Sequence, residues 1–209
     1  MKYQKFFKYQ FKRDENSFDF YVNPTNSKAH DGILKSNKSN LILSGPKKSG
    51  KSLLGRIWQL HNNAIKFNNN FKYIINNYKN IIIDDIDSFS NEEEFFHILN
   101  HCSLNNIKLL LISINSINEM NFRFDDISSR IKLFHEFKIE RPDDDMLTKL
   151  LTKLFIEKQF IINSNDIFQF IINRANRSYE EIFNIVNKLD TLTLEKKRQL
   201  TIPLIKEIL

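Results

Sequence analysis

The sequence is poor in cysteine and glycine and lacks long apolar runs. Its only cysteine, Cys102, excludes an internal disulfide framework and a zinc site built on cysteines. No run of 18 or more apolar residues occurs, and lysines interrupt the aromatic residues at the N-terminus, so we expect neither a transmembrane helix nor a signal peptide. We therefore expect a cytoplasmic protein with no membrane partner. Only 4 glycines occur in 209 residues, so each is expected where the backbone requires one.

The charge balance narrows the function very little. The 31 basic and 25 acidic residues give a net charge of +6, which permits an acidic partner such as nucleic acid but does not require one. A solvated surface with surplus lysine explains the same charge. Apolar residues make up 41% of the chain, which is enough to bury a sizeable core.

Buried strands alternate with helices in the first two thirds of the chain. The apolar runs are continuous rather than alternating, which is typical of strands covered on both faces in a parallel sheet with crossover helices. The predicted strands are residues 41–44, 64–67, 80–84, 107–113 and 133–139, and the predicted helices between them are 52–61, 71–78 and a helix capped by Asn91. We therefore predict an α/β fold.

The pattern changes near residue 140, and only helical segments follow. The predicted helices are residues 143–157, 164–174, 178–192 and 201–209, with Asp143 and Ser164 as N-caps and Pro203 in a first turn. We therefore predict three parts, which are an N-terminal segment (1–16), an α/β core (17–140) and a small all-helical lid (141–209).

Residues 45–52 fit the phosphate-loop motif G-x-x-x-x-G-K-[ST], between a predicted strand and a predicted helix. In such a loop, backbone N–H groups and the helix N-terminus bind phosphate. Lys51 is expected to reach the terminal phosphates, and the Ser52 hydroxyl is expected to hold Mg²⁺. An ordinary strand–helix turn is the alternative. The residues predicted to contact a nucleotide here are Gly45, Pro46, Lys47, Lys48, Ser49, Gly50, Lys51, Ser52 and Leu53.

Lys48 stands where many such loops carry glycine, and we expect its side chain to be tolerated if it points to solvent.

Polar residues follow the next two predicted strands of the sheet. Asp84 is expected to orient the Mg²⁺ shell, and Asp85 is placed to polarise an attacking water. An apolar run ending in two aspartates is weak evidence alone, but its distance of about thirty residues from the loop strengthens the pair. Asn115 follows the strand after that and is predicted to sense the γ-phosphate.

Two arginines are candidates for phosphate chemistry. Arg130 lies just before a predicted strand and could project into a neighbouring subunit as an arginine finger. A surface ion pair with Asp125 or Asp126 is the alternative. Arg177 precedes the predicted helix 178–192 and could reach back over the nucleotide, the alternative being a solvated arginine at a helix end.

This order of motifs resembles an AAA+ ATPase, and more narrowly the DnaA branch of that family. The similar segments are residues 19–29, 94–100, 128–130 and 139–155. The resemblance implies that residues 19–29 line an adenine pocket, through Tyr21, Val22 and Asn26. The stretches 174–190 and 197–204 are particularly similar to the Hda/HdaA group of that branch.

The resemblance to the Hda group implies a regulator of bacterial chromosome replication initiation. Such proteins bind ADP or ATP with Mg²⁺, attach to the DNA polymerase III sliding clamp and so indirectly to DNA, and stimulate hydrolysis of DnaA-bound ATP. By that resemblance, Arg130 acts on ATP held by DnaA, and the protein lies at the nucleoid or replisome. Lys48 in the loop, and isoleucine or asparagine at the sensor positions, depart from the family pattern, so we expect autonomous ATPase activity to be weak or absent. The sequence ends before the helix-turn-helix domain of a full initiator, which we take as an indication against origin reading.

The clamp-binding peptide of the Hda group begins with glutamine and continues with aliphatic residues. Here Gln4, Phe6 and Phe7 are the residues expected to bind the clamp, since two aromatic side chains can fill an apolar pocket. An edge segment that packs its aromatic residues on the core is the alternative. Whether the chain forms a homo-oligomer stays open.

Two other functions stay open at this point. A DnaA-branch adaptor or loader would recruit replication proteins to DNA without hydrolysis, and basic N-terminal residues would contact DNA directly. Those residues are Lys2, Lys5, Lys8, Lys12 and Arg13. A small P-loop phosphotransferase would share the loop and the acidic strand, but it would leave Arg130 and the helices after residue 143 without a role.

Overall fold

One parallel sheet of five strands forms the centre of the N-terminal part of the molecule. The computed structural model describes residues 20–68, 70–161, 166–196 and 198–209. The strands are β1 (Asn40–Ser44), β2 (Ile65–Lys66), β3 (Ile81–Ile83), β4 (Leu109–Ile112) and β5 (His135–Lys138). They are ordered β2-β3-β4-β1-β5, and every neighbouring pair is parallel. The predicted α/β fold with a parallel sheet is confirmed.

Helices cover both faces of the sheet and form the whole C-terminal part of the described chain. They are α1 (Ser27–Lys35), α2 (Lys51–His61), α3 (Phe71–Ile75), α4 (Glu92–Leu104), α5 (Asp125–Ile131), α6 (Asp144–Glu157), α7 (Asp166–Ile172), α8 (Tyr179–Lys196) and α9 (Ile202–Ile205). Asn91 and Asp143 cap α4 and α6, since their side chains accept hydrogen bonds from backbone N–H groups three residues later. The predicted cap Ser164 lies outside the described residues.

The clearest differences between the structure and the sequence prediction concern two helices and one strand. Helices α1 and α5 were not predicted, because α1 buries only Ala29 and Ile33 and α5 is short and mostly polar. The predicted strand 133–139 begins later, at His135. Leu133 is 78% exposed and belongs to the turn after α5, where its N–H bonds the Arg130 carbonyl.

Three apolar clusters hold these elements together. One lies under α3, α4 and α5 on one face of the sheet, and a second lies under α1 and α2 on the other face. The third joins α6, α7, α8 and α9 into a separate core. Met146 and Tyr179 belong to the lid helices but are buried in the second cluster, so the lid rests on the α1–α2 side of the sheet.

These clusters support a division of the chain near residue 140, which we retain as a proposal. The predicted N-terminal segment 1–16 lies outside the described residues. No helix in the described part of the chain is both long enough and apolar enough to cross a membrane.

Candidate phosphate-binding site

The loop between β1 and α2 turns on two glycines with positive φ. Gly45 has φ +147, and a Cβ there would lie 2.7 Å from the carbonyl oxygen of Ile139. Gly50 has φ +90, and a Cβ there would lie 3.1 Å from the ring of Phe20. Side chains are disfavoured at both positions by backbone conformation and by space. The prediction that scarce glycines occur where the backbone needs them is confirmed at this loop.

The tip of the loop carries two exposed lysines, Lys47 and Lys48. Lys48 adopts a left-handed backbone conformation with φ 62, where many such loops have glycine. Its side chain is exposed, which meets the condition for tolerating it, and its Nζ lies 5.6 Å from the ring centroid of Phe183 on α8. The loop tip therefore contacts the lid through a cation–π interaction.

Lys51 is the first residue of α2 and is 8% exposed. Its Nζ donates hydrogen bonds to the carbonyl oxygens of Gly45, at 2.8 Å, and Pro46, at 2.7 Å. Burial lowers the pKa of Lys51, and the nearby carboxylates only partly offset this effect. Among the described residues, the Lys51 ammonium donates hydrogen bonds only to carbonyl oxygens, so it is well suited to pair with an incoming anion.

Other groups of the loop also fit a phosphate. The Ser49 hydroxyl is buried and makes no hydrogen bond within the described residues. The first intrahelical bond of α2 runs from Leu54 N to Gly50 O, so the preceding N–H groups of Lys51, Ser52 and Leu53 have no partner from an earlier turn of the helix. Positive-φ glycines, a buried ammonium, and N–H groups and a hydroxyl without partners among the described residues together form a site that fits the phosphates of a nucleotide.

The structure brings together the two residues predicted to hold Mg²⁺. The Ser52 hydroxyl donates to Asp84 Oδ1 at 3.2 Å, where Asp84 directly follows β3. The other carboxylate oxygen, Asp84 Oδ2, accepts a hydrogen bond from Lys66 Nζ at 2.8 Å. Hydroxyl and carboxylate oxygens are the ligands that Mg²⁺ prefers, so these residues fit the ion. Sequence reasoning missed Lys66, which lies on the edge strand β2.

Asp85 and Asp87 follow Asp84 and lie in different surroundings. Asp85 is exposed and adopts a left-handed conformation with φ 64, and its side chain makes no hydrogen bond recorded within the described part of the chain. Asp87 accepts hydrogen bonds from the Ser113 hydroxyl, the Ile114 N–H and the Asn115 side-chain amide, at 2.6–3.0 Å. Sequence reasoning missed Asp87, although a third aspartate so close to Asp84 and Asp85 was a visible signal.

The Asn115 side-chain amide is bonded to Asp87. Of the three carboxylates that act electrostatically on Lys51, Asp87 has the largest effect. Asp87 thus links the loop lysine to the segment after β4 that contains Asn115. The prediction that Asn115 senses a γ-phosphate stays a prediction.

The predicted adenine-pocket residues lie in the segment before α1, which contacts the lid. Asn26 is 3% exposed, and its side chain bonds the backbone of Asn23 and Tyr21. The Tyr21 hydroxyl donates to Asp145 on α6 at 2.7 Å, and this hydrogen bond raises the pKa of Tyr21. Val22 is 40% exposed. Asn26 fixes the course of this segment, and contact of the three residues with adenine stays a prediction.

Arg177 lies within the lid and pairs with the start of α6. Its guanidinium is 3.2 Å from Asp144 Oδ1, and both side chains are mostly exposed. This ion pair holds Arg177 on the lid, between the first turn of α6 and the start of α8. Contact of Arg177 with a nucleotide stays a prediction.

Arg130 lies at the end of α5 and is held by three neighbours. Its Nε is 2.8 Å from Asp126, its Nη1 donates to the Asn100 side chain, and its guanidinium lies 5.2 Å from the Phe96 ring centroid. The ion pair considered as the alternative role is therefore present. In the described part of the chain, the side-chain contacts of Arg130 lie on α4 and α5, and none is with residues 45–52. The predicted clamp-binding residues Gln4, Phe6 and Phe7 lie outside the described residues.

Comparisons with known proteins agree with this geometry. Residues 144–209 match the family model described as "Hda, lid domain". Domain III of the Thermotoga maritima replication initiation protein DnaA superposes with a TM-score of 0.73 at 16% identity, covering 94% of this chain and 96% of that one. AMPPCP-bound DnaA from Aquifex aeolicus superposes with a TM-score of 0.67 at 18% identity, covering 90% of this chain and 69% of that one.

A curated relative extends the comparison. An uncharacterized protein of Haemophilus influenzae is 27% identical over 134 residues, which is 62% of this chain and 58% of the relative. The match therefore spans less than two thirds of that relative's length. The structural similarities confirm that the fold resembles that of DnaA, and the lid match confirms the resemblance to Hda over residues 144–209. The chain therefore has the fold of a DnaA-related AAA+ protein, and its residues 144–209 form a lid of the Hda type.

Proposed function

We propose that this protein is an adenine-nucleotide-binding regulator of replication initiation that stimulates hydrolysis of ATP bound to DnaA. It holds its own ADP or ATP on the loop 45–52 and donates Arg130 to the partner's nucleotide. The observation that carries the proposal is the placement of Arg130 near the end of α5, where its side chain contacts α4 and α5 and, among the described residues, none of the loop 45–52. The Hda-type lid supports the same conclusion.

The nucleotide half of the proposal rests on the loop and its surroundings. Lys51 and the N–H groups at the start of α2 bind the phosphates, and Arg177 can leave Asp144 to reach them, because an exposed ion pair costs little to open. Mg²⁺ held by Ser52 and Asp84 would supply positive charge beside the phosphates. Tyr21, Val22 and Asn26 are the residues proposed to face the adenine.

The proposed stimulation of DnaA rests on the stabilisation that an arginine gives to a transferring phosphoryl group. An inserted guanidinium supplies charge where the transition state develops it, and such fingers are worth roughly 10³–10⁵ in rate. Asn100, Asp126 and Phe96 hold the Arg130 side chain in one orientation before a partner arrives. A pre-oriented finger loses less side-chain entropy when it binds.

The proposed partners follow from this role. DnaA is the ATP-holding partner, and the sliding clamp, reached through Gln4, Phe6 and Phe7, brings the protein to DNA. We place the protein in the cytoplasm, at the replisome. Asp85 is the proposed residue for polarising water in any hydrolysis by the protein itself.

The test is a hydrolysis assay with ATP-loaded DnaA and DNA-loaded clamp. Wild-type protein is expected to accelerate ADP formation, and Arg130→Ala is expected to lose at least about 10³-fold of that acceleration. Lys132→Ala removes a nearby positive charge that follows α5 and serves as the matched control, which should behave as wild type. Equal stimulation by Arg130→Ala and wild type would overturn the finger role.

A second candidate is a DnaA-branch adaptor or loader that recruits replication proteins without hydrolysis. The Arg130–Asp126 ion pair favours it, because it gives Arg130 a structural role within α5. This candidate predicts direct DNA binding with a steep salt dependence in the absence of clamp, together with no stimulation of DnaA. Electrophoretic mobility shifts across a salt series distinguish the two functions.

A further inference from the structure

Lys66 forms an ion pair with Asp84, the residue proposed to orient Mg²⁺. It lies on the two-residue edge strand β2, which pairs in parallel with β3 so that Lys66 is opposite Ile82. This register brings its side chain to the end of the sheet where Asp84 follows β3. Lys66 Nζ lies 2.8 Å from Asp84 Oδ2, while Ser52 donates to Oδ1. Both carboxylate oxygens of Asp84 are therefore occupied by groups of this chain.

The ion pair matters for phosphate binding because the Asp84 carboxylate is largely buried. The Asp84 side chain is 19% exposed, whereas that of Lys66 is 54% exposed. A largely buried carboxylate beside a phosphate site needs a cation, because it otherwise repels the phosphate charge. In this arrangement a lysine of the chain itself meets that need.

We propose that Lys66 is a positioning residue that makes nucleotide binding nearly independent of Mg²⁺. Its ammonium neutralises Asp84 and is bonded to Oδ2, while Ser52 is bonded to Oδ1. The chain then retains a nucleotide without a bound metal, because Asp84 already has a cation beside it. This inference rests on the proposed nucleotide binding and adds a residue that controls its metal dependence.

The experiment measures the dissociation constant of a fluorescent ADP analogue in excess Mg²⁺ and again in excess EDTA. For wild type, the two constants should agree within about threefold. For Lys66→Gln, the unpaired Asp84 should weaken binding in EDTA by about tenfold or more, and Mg²⁺ should restore it. Lys66→Arg keeps the charge and should resemble wild type.

The control variant is Lys38→Gln, which removes the same charge from an exposed residue near the other end of β1. It should leave both constants unchanged. A wild type that loses more than about tenfold in affinity in EDTA overturns the inference, and so does a Lys66→Gln variant with the wild-type ratio. Absence of ADP binding in either buffer would instead overturn the nucleotide-binding proposal itself, together with this inference.

Discussion

Three aspartates within four positions have different partners, although the sequence presents them as one acidic cluster. Asp84 bonds Ser52 and Lys66, Asp85 faces solvent, and Asp87 accepts hydrogen bonds from the segment after β4. The partner decides what each carboxylate can do. Asp84 already has a cation beside one of its oxygens and the proposed metal ligand Ser52 beside the other, and Asp87 holds Ser113 and Asn115 in place.

The pKa of Lys51 predicts how nucleotide affinity depends on pH. Burial lowers this pKa in the free protein, and phosphate groups would raise it again in the complex. ADP binds the protonated form, so its affinity should be constant below the lowered pKa and fall above it by up to about tenfold per pH unit. Titrations between about pH 7 and about pH 10 measure this slope. Lys51→Met should bind more weakly with a flatter profile, and a flat wild-type profile would contradict the assignment.

Asn100 should act on hydrolysis through Arg130 alone. Its side-chain oxygen accepts the Arg130 Nη1 hydrogen bond, so Asn100→Ala leaves the guanidinium less well oriented. We expect stimulation of DnaA-bound ATP hydrolysis to fall by about 10- to 100-fold, with ADP affinity of the variant unchanged. The double variant with Arg130→Ala should be no worse than Arg130→Ala, because the two residues act as one unit. Additive losses would show a separate role for Asn100.

At the scale of elements, the start of α6 connects three parts of the molecule. Asp143 caps the helix and accepts a hydrogen bond from Asn23, Asp144 pairs with Arg177, and Asp145 accepts from Tyr21. Three consecutive side chains on a helix point in different directions, so each reaches a different neighbour. Residues 21–23 and the Arg177 region therefore meet at one turn of the lid.

Release of Arg177 from this turn should strengthen nucleotide binding. Exposed ion pairs contribute about 0–1 kcal/mol, so Asp144→Asn should raise ADP affinity by at most about fivefold, whereas Arg177→Ala should lower it. Glu180→Gln removes one acidic charge from the first turn of α8 and is the control. Calorimetric titration with ADP gives all four affinities. Unchanged affinity in Arg177→Ala would remove Arg177 from the nucleotide site.

Elements and motifs formed by contiguous residues could be predicted, whereas contacts that depend on register could not. Continuous apolar runs predicted β1, β3 and β4, and the loop 45–52 is contiguous in sequence, so both follow from local physics. The role of Lys66 depends on how a two-residue edge strand pairs with β3. Helix α5 is too short and too polar for its periodicity to be visible, so the orientation of Arg130 was also hidden.

At the scale of the whole molecule, the lid and the sheet share buried residues around the proposed nucleotide site. Met146 and Tyr179 pack in the same cluster as β1 and α2, while Lys48 of the loop tip contacts Phe183 of the lid. Occupation of the loop should therefore stabilise the arrangement of lid and core together. A ligand that binds only the folded state adds stability in proportion to the logarithm of its concentration.

Cys102 provides a direct probe of this coupling, because it is the only thiol in the chain. It is buried against the sheet, and burial raises its pKa to about 12, so native protein should resist alkylation at mildly alkaline pH. ADP at 100 times its dissociation constant should slow labelling by about 100-fold, if labelling requires unfolding. Mass spectrometry of iodoacetamide-treated protein follows the rate, with guanidinium-unfolded protein as the reference. Labelling of native protein at the unfolded rate would contradict the buried placement.

Every proposed activity depends on the binding of an adenine nucleotide by the loop 45–52. Calorimetric titration of wild-type protein with ADP measures this directly, alongside Lys51→Ala and the control Lys38→Ala. Saturable one-to-one binding is predicted for wild type and the control, with affinity at least about 100-fold weaker in Lys51→Ala. Failure of wild-type protein to bind either ADP or ATP, or equal affinity in Lys51→Ala, would contradict the account.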